Sequence, residues 1–154
     1  MVRVVLVHPQ IPPNTGNVAR TCAATETELH LVEPLGFEIS DRYLKRAGLD
    51  YWPYVKLTCH ASWDAFAEYS QALGGRWVGF SKSGSTNYLQ YAFEADDWLL
   101  FGCETAGLPP EVMEVCHDMV RIPIRQPKVR SFNLSVSAAL GLFEARRQLG
   151  DLSP

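Results

Sequence analysis

The run Arg3–His8, R-V-V-L-V-H, sets the terms for the rest of the chain. Its β-branched apolar residues lack polar alternation, the pattern of a strand covered on both faces. Pro9, Pro12 and Pro13 follow at once and bar a hairpin return. The chain leads instead into N-T-G-N-V-A-R-T-C-A-A-T, a helix with Asn14 or Thr15 as N-cap and an end near Glu26.

The same alternation repeats to the end of the sequence. Strands are expected at Leu29–Glu33, weakly at Val55–Thr58, then at Arg76–Ser81, Trp98–Cys103 and from Val120. Helices are expected around Tyr43–Arg46, over Ser62–Leu73, from Pro109–Pro110 to about His117, and from Ser131–Asn133 to Leu149. S-K-S-G-S-T-N (Ser81–Asn87) reads as a polar turn. The class is α/β, with a mainly parallel sheet and helices on both faces. Residues 1–154 form one domain, with no repeat, linker or separate RNA-binding domain.

A net charge of −3 excludes a generally basic nucleic-acid coat but leaves room for a local patch. No apolar run reaches the roughly 20 residues a bilayer span needs, and prolines interrupt any signal-peptide core. A cytoplasmic protein without membrane partners is expected. Cys22, Cys59, Cys103 and Cys116 form no C-x-x-C pair, so no metal site is expected.

Three loops following strands combine turn residues with polar chemistry, and ligands of open α/β sheets bind at such strand ends. In I-P-P-N-T-G-N-V-A-R, Asn14, Asn17 and Arg20 fall along one helical face and suit a phosphate or ribose, or equally an exposed, solvated helix start. In F-G-C-E-T-A-G-L-P-P, Gly102 and Gly107 allow close backbone approach, and Glu104 can accept from a hydroxyl or amine. The third stretch begins with V-R-I-P-I and carries Arg121, Arg125, Lys128 and Arg130, too much charge for a plain connection. Neither G-x-x-x-x-G-K-[ST] nor G-x-G-x-x-G is present, which excludes a P-loop and the usual dinucleotide site.

The last helix is apolar on two stripes: Leu134, Ala138, Leu142, Ala145 and Leu149 on one, Val136, Ala139, Leu140 and Phe143 on the other. A terminal helix of a small domain should keep a solvent face. Burial against a second copy predicts a homodimer; a central position within one subunit is the alternative.

Pro12–Arg20, Leu100–Pro109 and Arg121–Ser135 resemble the three motifs of the SPOUT methyltransferases, and R-A-G-L-D-Y (Arg46–Tyr51) resembles the TrmL/YibK family, across essentially the whole chain. That family consists of bacterial tRNA 2′-O-methyltransferases acting on cytidine or modified uridine at position 34. The resemblance implies a C-terminal trefoil knot over about residues 98–150, S-adenosylmethionine as cofactor and an active site at the dimer interface. It also implies that Phe80, Gly102, Ile122 and Ser131 line the cofactor pocket, with Glu104, Leu108, Ile124 and Leu134 as further candidates. The resemblance points to Arg20 as a catalytic residue, expected to act as a cation, with Ser131 or Asn133 relaying the proton. Asn14, Asn17, Arg42, Arg46, Lys128 and Arg130 are the candidates for tRNA contact, with Lys45 beside them. Ala106 and Val136 depart from the motifs, where Arg and Asn are common. A nucleotide- or RNA-binding module without turnover, or a SPOUT enzyme methylating a base or another ribose, also fits these residues.

Overall fold

The computed structural model describes residues 1–40 and 50–152. Its strands are β1 (Arg3–Val7), β2 (Glu28–Val32), β3 (Lys56–His60), β4 (Trp77–Phe80), β5 (Thr86–Asn87), β6 (Trp98–Phe101) and β7 (Asp118–Arg121). Its helices are α1 (Pro12–Ala24), α2 (Trp63–Leu73), α3 (Pro110–Val115) and α4 (Leu134–Leu149). Among the described residues the strands make one sheet in the order β3-β2-β1-β6-β4-β7-β5, every neighbouring pair parallel.

Alternation along β1 sorts the core into two layers. Val4 and Leu6 pack with Val18 and Ala19 of α1 and Ala138 and Leu142 of α4. Val5 and Val7 pack with Phe66 of α2 and Val112 of α3. Both faces are therefore covered, which accounts for the unbroken apolar run of β1. Arg146 of α4 donates to Thr25 O and, at 3.0 Å, to Thr27 Oγ1, fastening the end of α4 to the end of α1.

Several boundaries differ from the sequence reading. α1 begins at Pro12, with Ile11 rather than Asn14 or Thr15 as N-cap, because proline at its start already has helical φ. β7 ends before Pro123, which has no N–H for the ladder. β5 forms inside the expected polar turn; two residues leave no periodicity to read. The short basic helix around Tyr43–Arg46 lies outside the described residues.

His30 and His60 stack in the second layer, with Nδ1 of His30 2.9 Å from Nε2 of His60, ringed by Phe66, Tyr69 and Trp98. Burial, then the facing His60, pushes His30 from 6.5 down to about 4, although Glu28 Oε1 lies 3.4 Å from its Nε2. The unfolded chain thus binds a proton that the native chain refuses between those two values. This contribution is complete above pH 6.5 and is lost as pH falls toward 4. Urea unfolding should give stability about 2 kcal/mol lower at pH 5 than at pH 7. His30→Phe should flatten that slope; an unchanged slope would refute the assignment.

Candidate active site

β6, β4 and β7 are neighbours in the sheet, so the loops leaving their C-terminal ends converge. They enclose a cavity of about 440 Å³, within the range of small-molecule sites. All eight residues proposed for the cofactor line it: Phe80, Gly102, Glu104, Leu108, Ile122, Ile124, Ser131 and Leu134.

Each wall has a local cause. Phe80 is held by stacking on Phe101, ring centroids 4.5 Å apart. After β6 the chain folds back on itself: Cys103 and Gly107 pair in an antiparallel bridge, and Gly107 has φ +72°. The return strand passes so close that a Cβ on Gly102 would lie 1.9 Å from the Gly107 carbonyl carbon and 2.0 Å from the Leu108 nitrogen. Only glycine fits there. The turn after β4 is pinned by Ser81 N–H donating to Val120 O at 2.9 Å and by Arg121 donating to Gly84 O and Ser85 O at 3.1 and 3.0 Å. Arg121 therefore braces the turn that forms this wall.

That turn contributes Ser81, Lys82 and Ser83 to the cavity, residues the sequence reading passed over. Their signal was available: they follow a strand whose neighbours carry the other two loops. Arg130 also lines the cavity, placing this RNA candidate beside the cofactor candidates, whereas Lys128 is exposed outside it. Arg42, Lys45 and Arg46 lie outside the described residues.

Glu104 reaches the cavity, but its carboxylate is already engaged. Oε1 accepts from Gln10 N–H at 2.9 Å, and Oε2 from Ile11 N–H at 2.8 Å and Asn14 Nδ2 at 3.3 Å. The contact exists because β1 and β6 are paired, which sets their following loops side by side. A carboxylate here satisfies N–H groups and meets the positive end of the α1 dipole. Asn133 is equally committed. Its Oδ1 caps α4 through Ser135 N–H at 2.8 Å and accepts from Ser135 Oγ at 2.6 Å, while Nδ2 donates to Asn14 Oδ1 at 3.0 Å. Of the two relay candidates, Ser131 and Asn133, only Ser131 lines the cavity.

Arg20 and Asn17 are exposed on α1, and neither lines the cavity. The Arg20 guanidinium lies over the Tyr51 ring, 4.5 Å from its centroid. Within one chain, then, Ser131 lines the cavity and Arg20 does not. Of α4's two apolar stripes, one is buried; on the other Val136, Leu140 and Phe143 remain 45, 36 and 47% exposed. No helix is long and apolar enough to cross a membrane, and no group of three acidic, His or Cys side chains could hold a metal, among the described residues.

Comparison with known proteins places this architecture. The profile of the SpoU rRNA Methylase family matches residues 1–143. A protein of Synechocystis sp. is 57% identical over 99% of both chains. The tRNA (cytidine(34)-2′-O)-methyltransferase of Burkholderia cenocepacia is 48% identical over 97% of both. A structure solved for the 2′-OH methylation of C/U34 on tRNA superposes with TM-score 0.93, at 47% identity and 97% coverage of each chain. The AdoMet-bound rRNA methyltransferase of Sinorhizobium meliloti gives 0.82 at 27% identity, over 96% of this chain and 56% of that one.

Proposed function

The chain belongs to the SpoU rRNA methylase family, and from that premise we propose that it is a tRNA (cytidine/uridine-34) 2′-O-methyltransferase using S-adenosylmethionine. The observation that carries this reading is the cavity at the ends of β4, β6 and β7, which holds every residue the motifs implied for the cofactor.

The cavity suits that cofactor chemically. Leu108, Ile122, Ile124 and Leu134 give apolar walls for an adenine ring, and the tight backbone at Gly102 and Gly107 gives amide and carbonyl groups for its edges. Lys82 and Arg130 offer cations to a carboxylate, while the one lining carboxylate, Glu104, is engaged by amide donors. When bound, the cofactor supplies a methyl group activated toward nucleophiles.

The protein's part is to place a ribose hydroxyl in line with that methyl and to remove its proton. Such orientation is worth roughly 7–11 kcal/mol of barrier. Arg20 is always protonated, so it acts as a cation that stabilises the developing alkoxide or fixes the adjacent phosphate, not as a base. Ser131 Oγ, exposed on the cavity wall, accepts the ribose hydroxyl proton while passing its own to solvent water. Asn133 holds the helix that carries the neighbouring wall residue Leu134.

Because Arg20 stands outside its own chain's cavity, the site is completed by a second copy. The exposed stripe Val136, Leu140 and Phe143 supports a homodimer through α4. Residues 1–154 act as one domain, knotted as a trefoil over about 98–150, a reading supported by the closure of three loops around one cavity. Asn14, Asn17, Arg42, Arg46, Lys128 and Arg130 are the proposed tRNA contacts, in a cytoplasmic enzyme.

The test is incubation with methyl-labelled S-adenosylmethionine and bulk tRNA, followed by nucleoside analysis and mapping. Label in 2′-O-methylcytidine or a 2′-O-methyluridine at position 34 is expected. Absence of transfer would leave a binding module, and label on a base nitrogen would move the reaction elsewhere in the superfamily.

A further inference from the structure

The segment Tyr51–Tyr54 takes no part in the cavity, yet it carries the residue against which Arg20 rests. Trp52–Tyr54 form one 3₁₀ turn, closed by Tyr54 N–H donating to Tyr51 O at 2.9 Å. In such a turn residues three apart eclipse, so Tyr51 and Tyr54 share a face. Trp52 and Val55 pack against the core and anchor the turn from below. Tyr51 is half-buried, with the Arg20 guanidinium 4.5 Å from its ring centroid. Tyr54 is 72% exposed, more than any other large hydrophobic side chain among the described residues.

A cation seated over one aromatic ring, with a second, open ring on the same face, combines the two contacts that bind unpaired RNA. The guanidinium meets a phosphate and the free ring accepts a base. The pairing also distinguishes substrates, since a base inside a duplex has no free face to offer. We propose that Tyr54 is a stacking platform for an unpaired base adjoining the methylated nucleotide, and that Tyr51 fixes the plane of Arg20 beside it. This rests on the reading of an RNA loop as substrate.

The experiment uses the full chain, bulk tRNA, an anticodon stem-loop oligonucleotide and a fully paired RNA of equal length. Tyr54→Ala is expected to weaken stem-loop binding roughly ten-fold or more and to raise KM for tRNA by the same factor. Its kcat and its calorimetric affinity for S-adenosylmethionine should stay within about two-fold of wild type, and circular dichroism should be unchanged. Tyr54→Phe, which keeps the ring, should behave as wild type. Wild-type binding by Tyr54→Ala would overturn the proposal. So would equal losses in Tyr54→Phe, or equal losses on the paired RNA. A wild-type protein that binds no RNA at all would overturn the substrate reading itself, a result distinct from any variant effect.

Discussion

Gly102→Ala is expected to abolish cofactor binding, with affinity for S-adenosylmethionine reduced at least about 100-fold by calorimetry. The added Cβ meets backbone atoms at 1.9, 2.0 and 2.4 Å, and backbone in a paired loop has no rotamer to retreat into. The Cys103–Gly107 bridge has to open, and the wall formed by Leu108 moves with it. Gly107→Ala is the internal contrast. A Cβ there meets nothing within 4 Å, and the only cost is the left-handed φ of +72°, about 1 kcal/mol. Gly107→Ala should therefore bind cofactor within a few-fold of wild type. Similar losses in both variants would show that loop conformation in general, rather than close approach at Gly102, is what matters.

Arg20→Ala is expected to lower methyl transfer by about 10²–10³-fold while leaving affinity for S-adenosylmethionine unchanged, because Arg20 lies outside the cavity. Arg20→Lys should remain at least about ten-fold impaired, since a point charge replaces a planar fork. The two variants together test the composite site. In an equal, reassembled mixture of Arg20→Ala and Gly102→Ala chains, half the dimers are mixed, and each has one intact cavity facing one intact Arg20. About a quarter of wild-type turnover should return. A mixture no more active than its parts would mean that each chain uses its own Arg20.

Much of this was legible in the residues. The unbroken apolar run of β1 announced a covered parallel sheet, and the three punctuated loops fell at strand ends that the topology brings together. What the sequence concealed is of two kinds. Short features leave no pattern, as with β5, whose two residues sit in a serine-rich turn that also lines the cavity. Long-range partnerships leave none either. Nothing local distinguishes a carboxylate that will hold backbone N–H groups, like Glu104, from one that will meet a ligand. The same applies to Asn133, whose cap and contact with Asn14 use the groups a proton relay would need. The two apolar stripes of α4 are legible as a pattern; in a single chain the structure buries most of one and leaves the other largely open.

The Glu104 contact also has an implication for the order in which the protein matures. Helix α1 lacks a side-chain cap of its own, and the carboxylate at its start arrives 93 residues later in the chain. The start of α1 therefore gains this carboxylate only once β6 has paired with β1 and delivered its loop. One contact thus ties the helix that carries Arg20 to the loop that shapes the cavity. A chain that ends before residue 104 has neither that carboxylate nor that loop, and the cavity waits further for Ile122, Ile124, Ser131 and Leu134.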